Sequence, residues 1–126
     1  MNTRFSYLYR DAYNYKQYGE VIFAGEIDSD SHELITNSMG DGGFIASQVG
    51  LPDLQEFAIN FPTDADHVWS EFEGLTTTSE AATGGSIQEF AKRFDGIVWD
   101  EAAAAERLGL ATMSEAAAVA FLEEMM

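Results

Sequence analysis

Alternating apolar and polar positions predict three β-strands in the first 75 residues. The runs FSYLY at 5–9 and EVIFAGEI at 20–27 are rich in aromatic and β-branched residues, as strands are. The segment RDAYNYKQYG at 10–19, which joins them, is too long for a tight hairpin. A third alternating run, HVWSEFE at 67–73, predicts a strand with one face in water.

Cap residues and helical spacing of apolar residues predict helices elsewhere in the chain. Ser86 and Glu89 form a capping box. Asp100 is a good N-cap for the alanine-rich run behind it, and Gly109 is a natural stop for that run. The predicted helices are 31–38 with Asp30 or Ser31 as its N-cap, 86–94, 100–108, and one from Thr112 or Ser114 to 122.

These elements predict an α+β fold in which a small antiparallel sheet of about three strands packs with about four helices, the C-terminal half being helical. Residues 1–126 are expected to form a single domain with one core. Within it, 1–75 is the β-containing part, the Gly/Thr-rich stretch 76–85 is a linker-like loop, and 86–126 is the helical part.

The composition removes several classes of protein. The chain has no cysteine, which excludes disulfides, a thiolate nucleophile and a cysteine zinc site. No apolar run approaches the length of a membrane span, and residues 1–10 lack the apolar core of a signal peptide. We expect a soluble cytoplasmic protein that binds no cofactor and no membrane.

The distribution of the acidic residues matters more than their number. The net charge is −16, and positions 17–91 contain fourteen acids but no Lys or Arg. Neighbours in sequence cannot neutralise these charges, so their self-repulsion needs a compensating use in solubility, salt adaptation or recognition of something cationic. The same charge repels a phosphate backbone, so we expect no direct binding of nucleic acid.

The stretch EIDSDSHE at 26–33 has carboxylates at alternate positions and a histidine, as a metal-binding loop can have. A calcium loop would need glycine and a closing acid where the chain has Glu33 and Met39. A zinc site would have to join His32 to His67 with carboxylates, and nothing in their spacing favours it. We expect no metal ligand.

Two acid pairs, Asp64 with Asp66 and Glu71 with Glu73, are candidates for general acid–base chemistry. Side chains two positions apart on a strand share a face at a separation of about 6.7 Å. No nucleophile elbow or cofactor fingerprint accompanies these pairs, and acid pairs are common in a chain with 22 acids. We therefore expect no enzyme, and keep a small metal-dependent hydrolase as the second alternative function.

All five tyrosines fall between positions 7 and 18. With nearby cations they could stack nucleic-acid bases, but the net charge opposes this. Packing on the sheet and a protein-contact surface are left as equal alternatives.

The alternating acids repeat at about 6.7 Å, twice the ~3.4 Å rise per phosphate on one DNA strand. Carboxylates on a rigid sheet could therefore occupy the Lys and Arg pockets of a nucleic-acid-binding protein. In size, charge and cysteine-free α+β pattern, the chain resembles the small DNA-mimicking inhibitors of phages and mobile elements, in particular the anti-CRISPR proteins of type I systems. The resemblance implies an inhibitor that occupies the basic DNA-binding surface of a CRISPR surveillance complex in the cytoplasm of a bacterial host cell.

A second resemblance covers roughly the first 74 residues. The segments RFSYLYRDAYNYKQYGEVIFAGEI, FIASQVGLPDL and HVWSEFEG resemble a wide group of small uncharacterised bacterial proteins. This second resemblance implies no function.

The predicted function is a non-enzymatic acidic inhibitor, expected as a monomer, whose partner is a basic nucleic-acid-binding protein such as a CRISPR effector complex subunit. The first alternative is a soluble interaction or housekeeping protein whose acidity serves solubility or salt adaptation. The predicted partner-binding residues are seven acids: Asp28, Asp30, Glu33, Asp64, Asp66, Glu71 and Glu73.

Overall fold

The computed structural model describes residues 1–39 and 41–110. The strands are β1 (Asn2–Arg10), β2 (Lys16–Phe23), β3 (Gly43–Phe44) and β4 (Ser70–Thr78). The α-helices are α1 (Ser29–Asn37), α2 (Ile87–Lys92) and α3 (Glu101–Leu108), and 3₁₀ turns span Ala46–Val49 and Leu54–Phe57. The strands form one antiparallel sheet in the order β2-β1-β4-β3.

The fold prediction is wrong in its number of elements and in its C-terminal half. The described residues form four strands rather than about three, and three α-helices rather than about four. The strand β4 lies beyond the middle of the chain, and α2 and α3 have only six and eight residues. With two residues, β3 is too short to produce an alternating pattern in the sequence. The helix predicted from Thr112 or Ser114 lies outside the described residues.

The strand β4 begins and ends later than the alternating run at 67–73, because its pairing with β1 sets its length. Asn2 of β1 lies opposite Thr78, and the pairing continues to Leu8 opposite Glu71. The threonines at 76–78 show no alternation, but their β-branched side chains suit a pleated strand. Alternation alone therefore missed the second half of this strand.

The joining segment at 10–19, expected to be too long for a tight hairpin, contains a short hairpin loop. β1 and β2 pair from Arg10 opposite Lys16 to Thr3 opposite Phe23. The Asp11 carboxylate accepts hydrogen bonds from the backbone N–H groups of Tyr13 and Tyr15, at 2.9 and 3.0 Å. One polar side chain thus closes the turn, as aspartate does in many loops.

The main core lies between one face of the sheet and the helices α1 and α2. Phe5 and Tyr7 of β1 point to this face, where Ile35 of α1 and Phe90 of α2 meet them. The rings of Phe23 and Phe90 stack at 4.2 Å between centroids. A second cluster joins α3 to the sheet edge through Ile45, Val68, Ala104, Ala105, Leu108 and Leu110. The apolar pattern of each helix is buried in this way, which supplies most of its stability.

The N-caps of α2 and α3 are the predicted residues, and the N-cap of α1 is a different one. The Ser86 hydroxyl accepts from the Glu89 N–H at 3.4 Å, and Asp100 accepts from the Ala103 N–H at 2.9 Å, as predicted. The N-cap of α1 is Asp28, whose carboxylate accepts from the Ser31 N–H at 2.7 Å. The predicted caps of that helix, Asp30 and Ser31, are wrong because both lie within its first turn.

The stretch 76–85 begins inside β4 and returns along the outer edge of β2. The backbone N–H groups of Thr83 and Gly84 donate to the Ile22 carbonyl, and the Ala24 N–H donates to the Gly85 carbonyl. A Cβ atom at Gly84 would lie 2.9 Å from the side chains of Val21 and Phe23, so only glycine permits this close approach. The segment therefore covers one half of the β2 edge.

Within residues 1–39 and 41–110, no helix has both the length and the apolar character needed to cross a bilayer.

Candidate partner-binding surface

Three carboxylates line an open groove between α1 and the end of α2. Asp30 and Glu33 come from α1, and Asp95 follows α2. The groove has a volume of about 480 Å³, and the half-buried Leu34 and the buried Phe94 also line it. We call this feature the acidic groove. Its carboxylates beside apolar surface match the chemistry of a Lys or Arg side chain, whose apolar stem ends in a cation.

Partly buried hydrogen bonds hold the two walls of the acidic groove together. The Ser38 hydroxyl lies 2.7 Å from the Leu34 carbonyl of α1 and 2.8 Å from the Phe94 carbonyl beyond α2. The Trp99 indole N–H donates to the Ser38 carbonyl at 3.0 Å, and its ring meets Phe94 edge-on. The groove is therefore preorganised, which lowers the cost of binding.

Asp28 adds a third exposed acid to α1. Hydrogen bonds from the Ser31 backbone and, second, from its side chain hold the pKa of the Asp28 carboxyl below its ordinary value. Asp28, Asp30 and Glu33 are all exposed, so three of the seven predicted residues share the first part of α1. Like charges here face solvent rather than a neutralising partner on the same helix.

The pair Asp64 and Asp66 is divided between surface and interior. Asp64 is exposed, whereas Asp66 is buried. The Asp66 carboxylate accepts from the Tyr9 hydroxyl at 2.6 Å and from the Thr63 N–H at 2.8 Å. Asp66 therefore anchors the loop before β4 to β1 and does not face a partner.

The pair Glu71 and Glu73 lies on the other side of the sheet from the helices. Phe72 is opposite Tyr7 and faces the core, so Glu71 points away from it. Glu71 forms an ion pair with Arg10 at 3.0 Å, and Glu73 is exposed beside an irregularity in the pairing of β1 with β4. The seven predicted acids therefore do not form one continuous surface.

Arginines distant in sequence neutralise part of the acidic tract, as we call residues 17–91. Among residues 1–39 and 41–110, Arg4, Arg10 and Arg107 pair with at least five of its fourteen acids: Glu20, Glu80, Glu71, Asp53 and Glu56. All three arginines lie outside positions 17–91, so the residues near these acids in sequence did not indicate the ion pairs. The sequence analysis also missed Asp95. This residue lies outside the acidic tract, and only the packing of the helices brings it close to α1.

His67 is a structural histidine with both ring nitrogens engaged. Nε2 lies 2.7 Å from the Arg10 carbonyl oxygen, which can only accept, so Nε2 carries the proton. Nδ1 accepts from the Trp69 N–H at 3.1 Å. Burial lowers the pKa of His67 and keeps the ring neutral, although the Arg10 carbonyl and nearby carboxylates oppose this. No lone pair is left for the zinc site considered with His32.

The tyrosines divide into a buried and an exposed group. Tyr7 and Tyr9 are buried in the core, whereas Tyr13, Tyr15 and Tyr18 are 75%, 74% and 66% exposed. Their exposure leaves three rigid aromatic side chains on one hairpin, available for contact with another protein.

No protein-family model, curated protein or solved structure matches this chain. In the part of the chain that the structure describes, no group of three or more histidine, aspartate and glutamate side chains is placed to hold a metal ion. The structure alone therefore describes this molecule: it is a small α+β protein with a preorganised acidic groove between α1 and the end of α2.

Proposed function

We propose that this protein is a non-enzymatic acidic inhibitor that binds the basic nucleic-acid-binding surface of another protein, with the DNA-binding face of a CRISPR surveillance complex as the specific target. The observation that carries the proposal is the acidic groove, which places Asp30, Glu33 and Asp95 around a space suited to a Lys or Arg side chain.

The whole molecule is strongly acidic. A net charge of −16 attracts a cationic surface from a distance and repels nucleic acid. Attraction of this kind raises the association rate and falls with added salt. At contact, the groove would take up one long basic side chain, whose guanidinium or ammonium meets the carboxylates while its stem packs on Leu34.

The proposed contact uses only some of the predicted acids. Asp66 is buried and Glu71 is already paired with Arg10, so neither is included in the proposed contact. The proposed contact begins at Asp28 and Asp30 and continues along α1 to Glu33, with Asp95 opposite. A few such carboxylates compete with DNA by occupying the Lys and Arg side chains that would otherwise bind phosphates.

A competition assay tests the proposal. Binding of labelled target duplex to a purified type I surveillance complex is measured by fluorescence anisotropy while the protein is added. The native protein should displace the duplex, and the double variant Asp30→Lys, Glu33→Lys should be weaker by roughly tenfold or more.

The matched control is Glu101→Lys, Glu106→Lys on α3. Glu101 occupies the first turn of its helix, as Asp30 does, and both control residues are exposed. The control makes the same change in net charge, so a loss of inhibition equal to that of the groove variant would show only a general charge effect. Failure of the native protein to displace DNA at any salt concentration would overturn the proposed target.

A further inference from the structure

The outer edge of β2 has one covered half and one open half. The Ile22 carbonyl accepts from Thr83, and the Ile22 N–H donates to the Thr83 hydroxyl at 3.2 Å, so both polar groups of Ile22 point away from β1. In an antiparallel pair, every second residue points its N–H and C=O the same way. The backbone groups of Lys16, Tyr18 and Glu20 therefore also point away from β1.

The open half spans Lys16 to Glu20. Lys16, Tyr18 and Glu20 are exposed, and within residues 1–39 and 41–110 no hydrogen bond joins the outward backbone groups of Tyr18 or Glu20 to another residue. At the opposite edge of the sheet, β3 has only two residues and both are buried. An open edge with alternate free donors and acceptors is a template for another strand.

We propose that the open half of β2 pairs with β2 of a second copy of this chain, in an antiparallel arrangement centred on Tyr18. The two Tyr18 residues then face each other across a two-fold axis. Lys16 of each copy lies opposite Glu20 of the other, because antiparallel positions equally distant from the centre pair. The three outward pairs exchange backbone hydrogen bonds.

The side chains of this register are complementary. Two Lys16–Glu20 pairs place opposite charges directly across the new ladder, and the two tyrosine rings form the central pair. The Glu20 side chain, which lies 3.4 Å from Arg4, is 59% exposed and so can also meet Lys16 of the second copy. Opposite-charge and aromatic cross-strand pairs each stabilise a sheet. A register shifted by two residues would instead leave the charges unpaired.

The ends of the proposed ladder coincide with features of the fold. In this register Ile22 would face Asn14 of the second copy, which has a left-handed backbone at φ 69° in the hairpin loop. Ile22 is also the point at which Thr83 and Gly84 already cover the edge. The ladder is therefore limited to Lys16 through Glu20, which is the whole open half.

Local charge explains why two acidic chains can meet here. The hairpin from Asn2 to Phe23 carries three cations and two anions: Arg4, Arg10, Lys16, Asp11 and Glu20. With three cations against two anions, this hairpin is slightly cationic within a molecule of net charge −16. Long-range repulsion between the copies is screened at physiological salt, where the Debye length is about 8 Å, whereas directly opposed pairs are less affected. Self-association should thus be stronger at about 0.15 M salt than at about 0.01 M.

The same observations favour a second copy over a strand from an unrelated cationic protein. A lysine-rich strand would complement Glu20 but would oppose Lys16, so one of the two charges would be left against a like charge. A second copy satisfies both positions at once. It also supplies a partner edge with the same length and alternation.

Sedimentation equilibrium tests the proposal at concentrations from about 10 to 500 µM, because an interface of this size belongs to the weak class. The native protein should dimerise. Lys16→Glu should weaken the dimer by roughly tenfold or more, since an acid would then face Glu20. Glu20→Lys should do the same by bringing two cations together, and circular dichroism checks that each variant is folded.

A mixture of Lys16→Glu and Glu20→Lys should recover the dimer, because every cross-strand pair between the two variants is again of opposite charge. Tyr18→Pro should abolish it while the fold is kept, since proline is tolerated where an edge N–H faces outward. The groove variant Asp30→Lys, Glu33→Lys should dimerise as the native protein does.

A native protein that stays monomeric over this concentration range overturns the proposal, whether or not another protein's strand binds the edge. A dimer that resists both single variants, or one that the mixture fails to restore, overturns the register.

Discussion

Arg107, at the end of α3, donates from Nε to the Asp53 carboxylate at 3.1 Å, and this carboxylate is 1% exposed. Asp53 also accepts from the Ser47 N–H, and Arg107 reaches Glu56 at 2.6 Å. The hydrogen bonds that Arg107 donates to Asp53 and, second, to Glu56 raise the pKa of Arg107. One arginine therefore fastens the last described helix to the segment between the two 3₁₀ turns.

Arg107→Met should destabilise the protein by about 1 to 2 kcal/mol, because a buried carboxylate loses its cation while the apolar stem is kept. The loss should be smaller than for a fully buried ion pair, because the Arg107 side chain is half exposed. The free energy of unfolding in urea measures the effect. Glu56→Gln, which alters only the exposed partner, should cost less than about 1 kcal/mol. Equal losses in both variants would contradict the central role of Asp53.

Tyr9→Phe should destabilise the protein by about 1 to 3 kcal/mol, since it removes a hydroxyl that donates to the buried Asp66 and accepts from the His67 N–H. Burial, together with the Asp66 carboxylate, raises the pKa of Tyr9 far above its ordinary value, so the hydroxyl stays protonated. Tyr13→Phe is the control, because Tyr13 is exposed. A midpoint of urea unfolding unchanged in Tyr9→Phe would show that the cluster does not stabilise the fold.

Stability should fall as the pH falls below about 6.5, the ordinary pKa of histidine, because burial lowers the pKa of His67. The unfolded chain then binds a proton that the folded chain excludes, and the contribution of His67, complete above that pH, is lost progressively as the pH falls toward the folded pKa. One such proton changes the unfolding free energy by at most about 1.4 kcal/mol per pH unit.

Urea unfolding at several pH values tests this dependence. His67→Phe should be less stable but should show a flatter dependence between about pH 6.5 and 5.5, because its side chain binds no proton. His32→Gln, on the exposed surface of α1, is the control for loss of a histidine. If His67→Phe kept the native slope, another group would be responsible.

Gly50→Ala should destabilise the protein by about 1 to 3 kcal/mol. Gly50 has φ 80°, and a Cβ atom there would lie 2.5 Å from Nη1 of Arg93, which donates to the Val49 carbonyl. Gly85→Ala is the control, since a Cβ atom at Gly85 meets nothing within 4 Å. Thermal unfolding compares the two variants, and similar melting temperatures would show that neither the backbone strain nor the contact with Arg93 matters.

Local signals predicted the parts of the fold that depend on neighbours in sequence. The strand at 5–9 lies within β1, and the caps Ser86 and Asp100 begin α2 and α3, because a cap bonds to a backbone group only three residues away. The short strand β3 and the threonine half of β4 carry no such signal. They are strands because β1 and β4 supply hydrogen-bonding partners from distant positions.

The candidate partner-binding surface was also predictable only in part from the sequence. By itself, the sequence determined that 17–91 carries acids and no Lys or Arg, and therefore that the molecule has a strong negative field. Only the tertiary structure decided which acids face solvent. It buried Asp66 under Tyr9, paired Glu71 with Arg10, and brought Asp95 to the helix that carries Asp30. Charge is additive along a chain and can be counted, whereas burial and ion pairing depend on which distant residues the packed sheet and helices bring within a few ångströms.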